Sequence, residues 1–280
     1  MASRIYRAFV IGSPINHSLS PDLHSFWLEQ YAIRGSYEKI LVLPADLGEF
    51  LSNMISANFV GGNITLPHKE TAYQKLGNCD DTANQLEAVN TVWIEDQKIV
   101  AGNTDAYGFG ANLDDFAPAW RKAKTAMVLG AGGAAKSIIL ALINAGYEKI
   151  FIANRTHSRS QALALKMGHQ CISIQHDETS ETLKNVDLLI NTTSLGMKNQ
   201  ANLDINLSNL SSSAIVTDIV YNPIKTSLLK NAQARGLETV DGIGMLLHQA
   251  VPGFEKWFGV RPQVTSELRN HMLNILREDI

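Results

Sequence analysis

Apolar residues fall along this chain in short continuous runs separated by helical spacings. Residues 8–11 form a four-residue apolar run ending at Gly12, the pattern of a strand buried on both faces. The loop after it, Ser-Pro-Ile-Asn-His-Ser-Leu-Ser-Pro, carries two prolines. Ser20 before Pro21 predicts a helix N-cap with proline at the first helical position, and Phe26, Trp27 and Tyr31 supply that helix's apolar face. Strands are predicted over 38–43 and 59–64, with a helix over 45–55 between them. Residues 89–102 read as a hairpin turning at Asp96-Gln97. A second alternating series opens at 126–129 and continues with strand-like runs at 149–153, 171–174, 186–190 and 214–219, with helical patterns between most of them. Ile243, Leu246, Leu247, Ala250, Phe254 and Trp257 keep helical spacing, with Pro252 expected to bend that helix, and a last helix follows Pro262. Such alternation predicts an α/β fold.

Composition narrows the class. The chain has 280 residues, enough for two domains of roughly 150. At 45% hydrophobic and 18% charged it is an ordinary globular composition, which excludes a disordered chain. A net charge of −3 gives no positive field for a nucleic-acid partner. Cys79 and Cys171 stand apart in no metal-ligand or disulfide pattern, and no metal site is expected. No apolar run approaches the roughly 18 residues of a membrane span, and the apolar stretch near the N-terminus is too short for a signal segment. The expectation is a soluble cytoplasmic protein with no membrane partner.

The sharpest local signal is Gly130-Ala131-Gly132-Gly133-Ala134-Ala135, between a predicted strand and a predicted helix through Ile138, Ile139 and Leu142. This is the dinucleotide fingerprint in its required setting: the glycines allow a tight turn and close approach to a pyrophosphate, and the helix N-terminus offers N–H groups to the anion. The next strand ends at Asn154, where an NAD site usually places an acid for the ribose 2′-hydroxyl. A neutral residue there, followed by Arg155 and Arg159, removes repulsion from a 2′-phosphate and supplies guanidinium partners. The cofactor expected is NADP.

Other polar clusters close predicted strands: Gly62-Asn63-Ile64-Thr65-Leu66-Pro67-His68-Lys69, Ala88-Val89-Asn90-Thr91, and Gly102-Asn103-Thr104-Asp105. With the loop from Gly12 to Pro21, the glycine loop, Asn154-Arg155-Thr156 and the segment from Asp241 to Gln249, they make seven ordered motifs over nearly the whole chain. In these the sequence resembles shikimate dehydrogenase, a family of NADP-dependent enzymes of aromatic amino-acid biosynthesis. Asn-Ile-Thr-Leu in place of the commoner Asn-Val-Thr-Val is a conservative departure.

The resemblance implies a fold and a set of roles. The fold would be two α/β domains flanking a cleft, the second a Rossmann-type nucleotide domain. Residues 1–105 with 242–280 would bind substrate, and 106–241 would bind NADP. Lys69 and Asp105 would be the catalytic pair. Ser18, Ser20, Asn63, Thr65, Asn90, Asp105, Tyr221 and Gln249 would contact shikimate or 3-dehydroshikimate, with Ser18 and Ser20 at its carboxylate. Gly130, Ala131, Gly132, Gly133, Ala134, Asn154, Arg155, Thr156 and Arg159 would bind NADP, and Asp81, Ile219 and Gly242 match positions near the nicotinamide or its ribose. The assembly would be a monomer or homodimer.

The chemistry is coherent with these roles. Hydride transfer to a ketone leaves an alkoxide that needs a proton donor, and a lysine ammonium beside a carboxylate supplies one. Neutral donors on Ser18, Ser20 and Tyr221 suit a carboxylate in a site that already holds a charged lysine. His17, His24, His68 and His248 lack paired-ligand spacing and read as packing or loop residues; the Asn/Ser-rich segment 199–213 reads as a surface loop without chemistry. Two alternatives stand beside this reading: a quinate or quinate/shikimate dehydrogenase, against which Asn154 argues, and an inactive dinucleotide-binding regulator, against which Lys69 and Asp105 argue.

Overall fold

The computed structural model describes residues 5–278. The chain divides into two compact units, Met1–Thr104 with Gln249–Ile280, and Asp105–His248.

The first unit runs β1 (Tyr6–Gly12), α1 (Ser20–Gln30), β2 (Gly35–Leu41), α2 (Leu47–Asn53), β3 (Phe59–Ile64), α3 (Lys69–Lys75), α4 (Asp81–Leu86), β4 (Thr91–Glu95) and β5 (Lys98–Gly102). Its sheet has the order β2-β1-β3-β4-β5, with β1 parallel to both neighbours and β4 antiparallel to both of its own. Residues 8–11 are buried on both faces of the central strand, as a continuous apolar run requires. Phe9 and Ile11 join Leu47 and Leu51 of α2 and Met54 just after it in one core. The β4–β5 turn places Asp96 and Gln97 at φ +49° and +59°, the two left-handed residues a tight hairpin needs.

The second unit runs α5 (Asp105–Phe116), β6 (Thr125–Leu129), α6 (Gly133–Asn144), β7 (Lys149–Ala153), α7 (His157–Met167), β8 (Cys171–Ile174), α8 (Thr179–Thr182), β9 (Leu188–Asn191), β10 (Ile215–Asp218), α9 (Ser227–Ala234), β11 (Glu238–Val240) and the start of α10 (Ile243–Phe258). Its six strands are all parallel in the order β11-β10-β9-β6-β7-β8, the doubly wound nucleotide-binding arrangement. Alternate residues feed opposite cores: Ala126 and Val128 face Ile138 and Leu142, whereas Met127 and Leu129 face Leu228 and Leu229. The chain returns to the first unit within α10 and ends in α11 (Ser266–Glu278). There Trp257 Nε1 donates to the Val92 carbonyl at 2.8 Å, and Trp27 packs edge-on to Phe254.

Several expectations are corrected. Ser20 is the first residue of α1 rather than its cap; Leu19 takes the cap position without a side-chain hydrogen bond. The polar cluster after β3 ends in a helix, since His68 already has helical backbone and Lys69 opens α3. Asp105 and residues 242–248 belong to the second unit. Asp105 opens α5, whose Phe109 and Leu113 pack into that unit's core, and Asn112 Nδ2 donates to the Asp241 carbonyl at 2.8 Å. His248 pairs with Asp115 at 2.9 Å in the same unit. Segment 199–213 is a loop, but Leu203, Leu207 and Leu210 bury themselves in the second unit's core.

Candidate functional site

Strand register gathers the first unit's polar motifs. Ile11 is level with Ile64, Asn63 with Thr91, and Thr91 with Gly102. The ends of β1, β3 and β5 and the start of β4 therefore lie at one end of the sheet, the loops carrying Ser18, Thr65, Asn90 and Thr104 emerge together, and Lys69 opens α3 just after Thr65. Backbone bonds fasten them: Thr65 N donates to the Ile11 carbonyl at 2.9 Å and Val89 N to the Lys69 carbonyl at 2.9 Å. Gly12 admits this closeness, since a Cβ there would stand 2.6 Å from Thr65 Cγ2. Ser18 Oγ accepts from Ser20 N at 3.3 Å, which sets both hydroxyls around the N-terminus of α1.

The asparagines are anchored from behind. Asn63 is buried; its Nδ2 donates to the Asn90 carbonyl and to Thr91 Oγ1, both at 3.1 Å, and its Oδ1 accepts from Tyr37 Oη at 2.6 Å. Both of its amide hydrogens are thus committed inside the sheet. Asn90 Oδ1 accepts from Thr104 N at 2.9 Å and from Thr91 Oγ1 at 2.7 Å. Tyr37 stacks on buried His24 at 4.0 Å, and burial lowers that imidazole to about 3, so it is neutral. His68 is a buried packing residue, its Nε2 2.8 Å from the Val42 carbonyl. Lys69 is half-buried. Asp81 is exposed in the first turn of α4; the cap is its neighbour Asp80, which accepts from Ala83 N at 2.6 Å and whose carboxyl burial pushes above its ordinary value.

In the second unit the glycine loop joins β6 to α6. Gly130 holds φ +111°, and Thr192 Oγ1 lies 2.6 Å from where its Cβ would be, so only glycine fits. Gly132 and Gly133 are different: nothing lies within 4 Å of a Cβ on either. Protein packing does not demand glycine there, whereas a pyrophosphate approaching the backbone does. Neither α6 nor α7 has an acidic residue in its first turn, and Arg155 and Arg159 are exposed. Asn154 Nδ2 turns back onto the Thr156 carbonyl at 2.8 Å, shaping the turn that carries Arg155 and leads into α7, where Arg159 stands in the first turn. The donor set fits NADP better than NAD.

A cavity of about 370 Å³ opens beside this loop, lined by Gly130, Asn154, Arg155, Thr193 and residues 203–206 among others. The segment read as lacking chemistry thus forms one wall. Polar residues 191–194 closing a buried parallel strand were the available signal, because ligands bind outside the carboxyl ends of such strands. Buried Asp218 fastens the chain on either side of Ile219. Its carboxylate accepts from Asn191 Nδ2 at 2.9 Å, Val220 N at 3.0 Å and Thr226 Oγ1 at 2.7 Å, while burial pushes its pKa up. Ile219 and Gly242 meet closely: a Cβ on Gly242 would stand 2.4 Å from the Ile219 carbonyl oxygen. Tyr221 is half-buried, and burial raises its phenol, which keeps it a neutral donor. The structure therefore groups Ser18, Ser20, Asn63, Thr65, Lys69, Asn90 and Gln249 in one unit and Asp105, the glycine loop, 154–159, Ile219, Tyr221 and Gly242 in the other.

Three family models match successive stretches of the chain. Residues 10–92 match the shikimate dehydrogenase substrate binding domain, 116–230 match shikimate / quinate 5-dehydrogenase, and 242–266 match the shikimate 5′-dehydrogenase C-terminal domain. The shikimate dehydrogenase (NADP(+)) of Mesorhizobium japonicum is 51% identical over 269 residues, covering 96% of each chain. Among solved structures, the quinate dehydrogenase of Corynebacterium glutamicum in complex with NAD superposes with a TM-score of 0.90 at 31% identity, covering 97% of this chain and all of that one. The shikimate 5-dehydrogenase of Thermus thermophilus, in complex with NADP(H) and shikimate, gives 0.84 at 33% identity, covering 98% of this chain and all of that one.

Proposed function

The chain belongs to the shikimate dehydrogenase family, and from that premise we propose that it interconverts 3-dehydroshikimate and shikimate with NADP(H), a step of the shikimate pathway toward chorismate and aromatic amino acids. The observation that supports this most is the convergence of Ser18, Thr65, Lys69 and Asn90 at one sheet end, in a chain whose other unit carries a glycine loop followed by two arginines instead of an acid. The proposal extends to a cytoplasmic enzyme, monomeric or homodimeric, without a nucleic-acid partner. No helix among the described residues is long and apolar enough to cross a membrane.

NADPH, when bound, supplies the hydride. Ser18 and Ser20 hold the substrate carboxylate with hydroxyl and N–H donors, joined by the neutral Tyr221 phenol. Thr65, Asn90 and Gln249 set the ring through its hydroxyls, and Asn63, whose amide hydrogens are spent in the sheet, offers them its Oδ1 as an acceptor. Lys69 delivers a proton to the carbonyl oxygen as charge develops there and takes it back in the oxidative direction, with the Asp105 carboxylate as its partner. The glycine loop from Gly130 to Ala134 receives the pyrophosphate, and Asn154, Arg155, Thr156 and Arg159 the 2′-phosphate. Asp81, Ile219 and Gly242 complete the set on the nicotinamide side. Quinate with NAD is the competing reading, favoured by the Corynebacterium glutamicum neighbour, and it calls for an acid where Asn154 stands.

The mechanism is tested at Lys69. Lys69→Ala should cut shikimate turnover with NADP+ by about 10²–10⁴, with shikimate affinity by calorimetry largely kept, because the other contacts persist. Near-normal turnover in that variant would place the proton elsewhere.

A further inference from the structure

Thr104 is assigned no role in the chemistry above, yet it is where the substrate-facing segments of the first unit meet. It is buried, the last residue of that unit's long segment, and three contacts fix it. Its N–H donates to Asn90 Oδ1 at 2.9 Å, and its Oγ1 accepts from Asn90 Nδ2 at 3.0 Å. The backbone N–H can only donate, so this two-point grip decides which end of the Asn90 amide is oxygen and which is nitrogen. The Thr104 hydroxyl has one proton. The Gln249 carbonyl lies 2.7 Å away and Asn90 Oδ1 3.4 Å, so the proton goes to Gln249.

Gln249 is 145 residues further along the chain, in α10. One hydroxyl therefore joins the residue before β4 to the helix that returns at the end of the chain. Through Thr91 Oγ1, which donates to Asn90 Oδ1 and accepts from Asn63 Nδ2, the same set extends to Asn63 and Tyr37. Removing the hydroxyl takes one hydrogen bond from the Asn90 amide nitrogen and one from the Gln249 carbonyl.

We propose that Thr104 is a positioning residue for the reaction: its hydroxyl fixes the Asn90 amide and the Gln249 backbone as one unit, and so sets two substrate-contacting side chains from distant segments relative to each other. The inference rests on the reading that Asn90 and Gln249 contact the substrate.

The test compares Thr104→Val, Thr104→Ala and Thr104→Ser in steady-state kinetics, with thermal unfolding of each. Valine keeps the shape and removes the hydroxyl. Alanine removes it without placing a methyl against Asn90 Nδ2, and stands in if the valine variant does not fold. Loss of a neutral hydrogen bond that orders ligands should raise the KM for shikimate about 10-fold, with the KM for NADP+ unchanged, and serine should recover most of the loss. Unchanged shikimate KM in the valine and alanine variants overturns the proposal. So does an equal rise for both substrates that tracks the fall in Tm and that serine does not rescue, since that is the mark of a purely structural residue. Asn90→Ala separates the two levels. If it raises the shikimate KM while the Thr104 variants do not, the positioning role alone fails; if it leaves that KM unchanged, the substrate assignment fails and takes the positioning role with it.

Discussion

Thr192 closes over Gly130: its hydroxyl donates to the Leu129 carbonyl at 2.7 Å and lies 2.6 Å from where a Gly130 Cβ would stand. The first glycine of the loop is thus required by the protein's own packing, while Gly132 and Gly133, with open space at the same point, are not. Two kinds of glycine give two kinds of defect. Gly130→Ala should lower thermal stability, from both its φ of +111° and the contact with Thr192, by roughly 1–3 kcal/mol. Gly132→Ala should leave the Tm nearly unchanged but weaken NADP+ binding by an order of magnitude or more, as measured by fluorescence titration. Equal loss of stability at both positions would contradict a pyrophosphate role for the second glycine.

Arg155 precedes α7 in a turn shaped by Asn154 and Arg159 lies in that helix's first turn, which has no acids. A hydrogen bond to a charged group contributes about 1.5–3 kcal/mol, so the pair supports a preference for NADP+ over NAD+ on the order of 100-fold. Arg155→Ala should raise the KM for NADP+ and leave that for NAD+ almost unmoved. A parallel rise for both cofactors would remove the 2′-phosphate from this loop.

The motifs are legible in the sequence because each is a short polar cluster closing an apolar run, and register alone then brings them together. The apolar runs at 59–64, 149–153 and 171–174 coincide with the observed strands. What escapes the sequence has physical reasons. Helices α3 and α4, of seven and six residues, are too short to show periodicity, so nothing in the pattern shows that Lys69 opens a helix rather than preceding one. The three-residue β11 has the same problem. Segment 199–213 is polar on average, but its burial depends on three spaced leucines, and its place beside the glycine loop follows from the path between β9 and β10. The boundary expected near residue 241 lies instead within α10, which is continuous across it, so no break in pattern marks the place. Thr104 and the Asn90 amide meet only through strand register, which the chain order does not display.

His24 gives a pH signature. Burial holds its imidazole at about 3, below the ordinary 6.5, so as pH falls the unfolded chain takes up the proton first. The neutral histidine's contribution is complete above about pH 6.5 and is lost between there and about 3, with a limiting slope of ~1.4 kcal/mol per pH unit. His24→Leu, similar in size and without a titrating group, should be less stable near neutrality through lost stacking on Tyr37, yet lose less of its stability on acidification. Urea unfolding at about pH 7.5, 6 and 5 measures this; identical pH slopes for the two proteins would show that the ring does not titrate as described.

Four steady-state rates test the central claim most directly: oxidation of shikimate and of quinate, each with NADP+ and with NAD+. The neutral Asn154 and the two arginines after it predict that NAD+ lowers kcat/KM on the order of 100-fold relative to NADP+, and the likeness to shikimate dehydrogenases (NADP(+)) predicts that shikimate with NADP+ gives the largest value, with quinate poorer with either cofactor. A kcat/KM for quinate with NAD+ that equals or exceeds the value for shikimate with NADP+ would contradict the account.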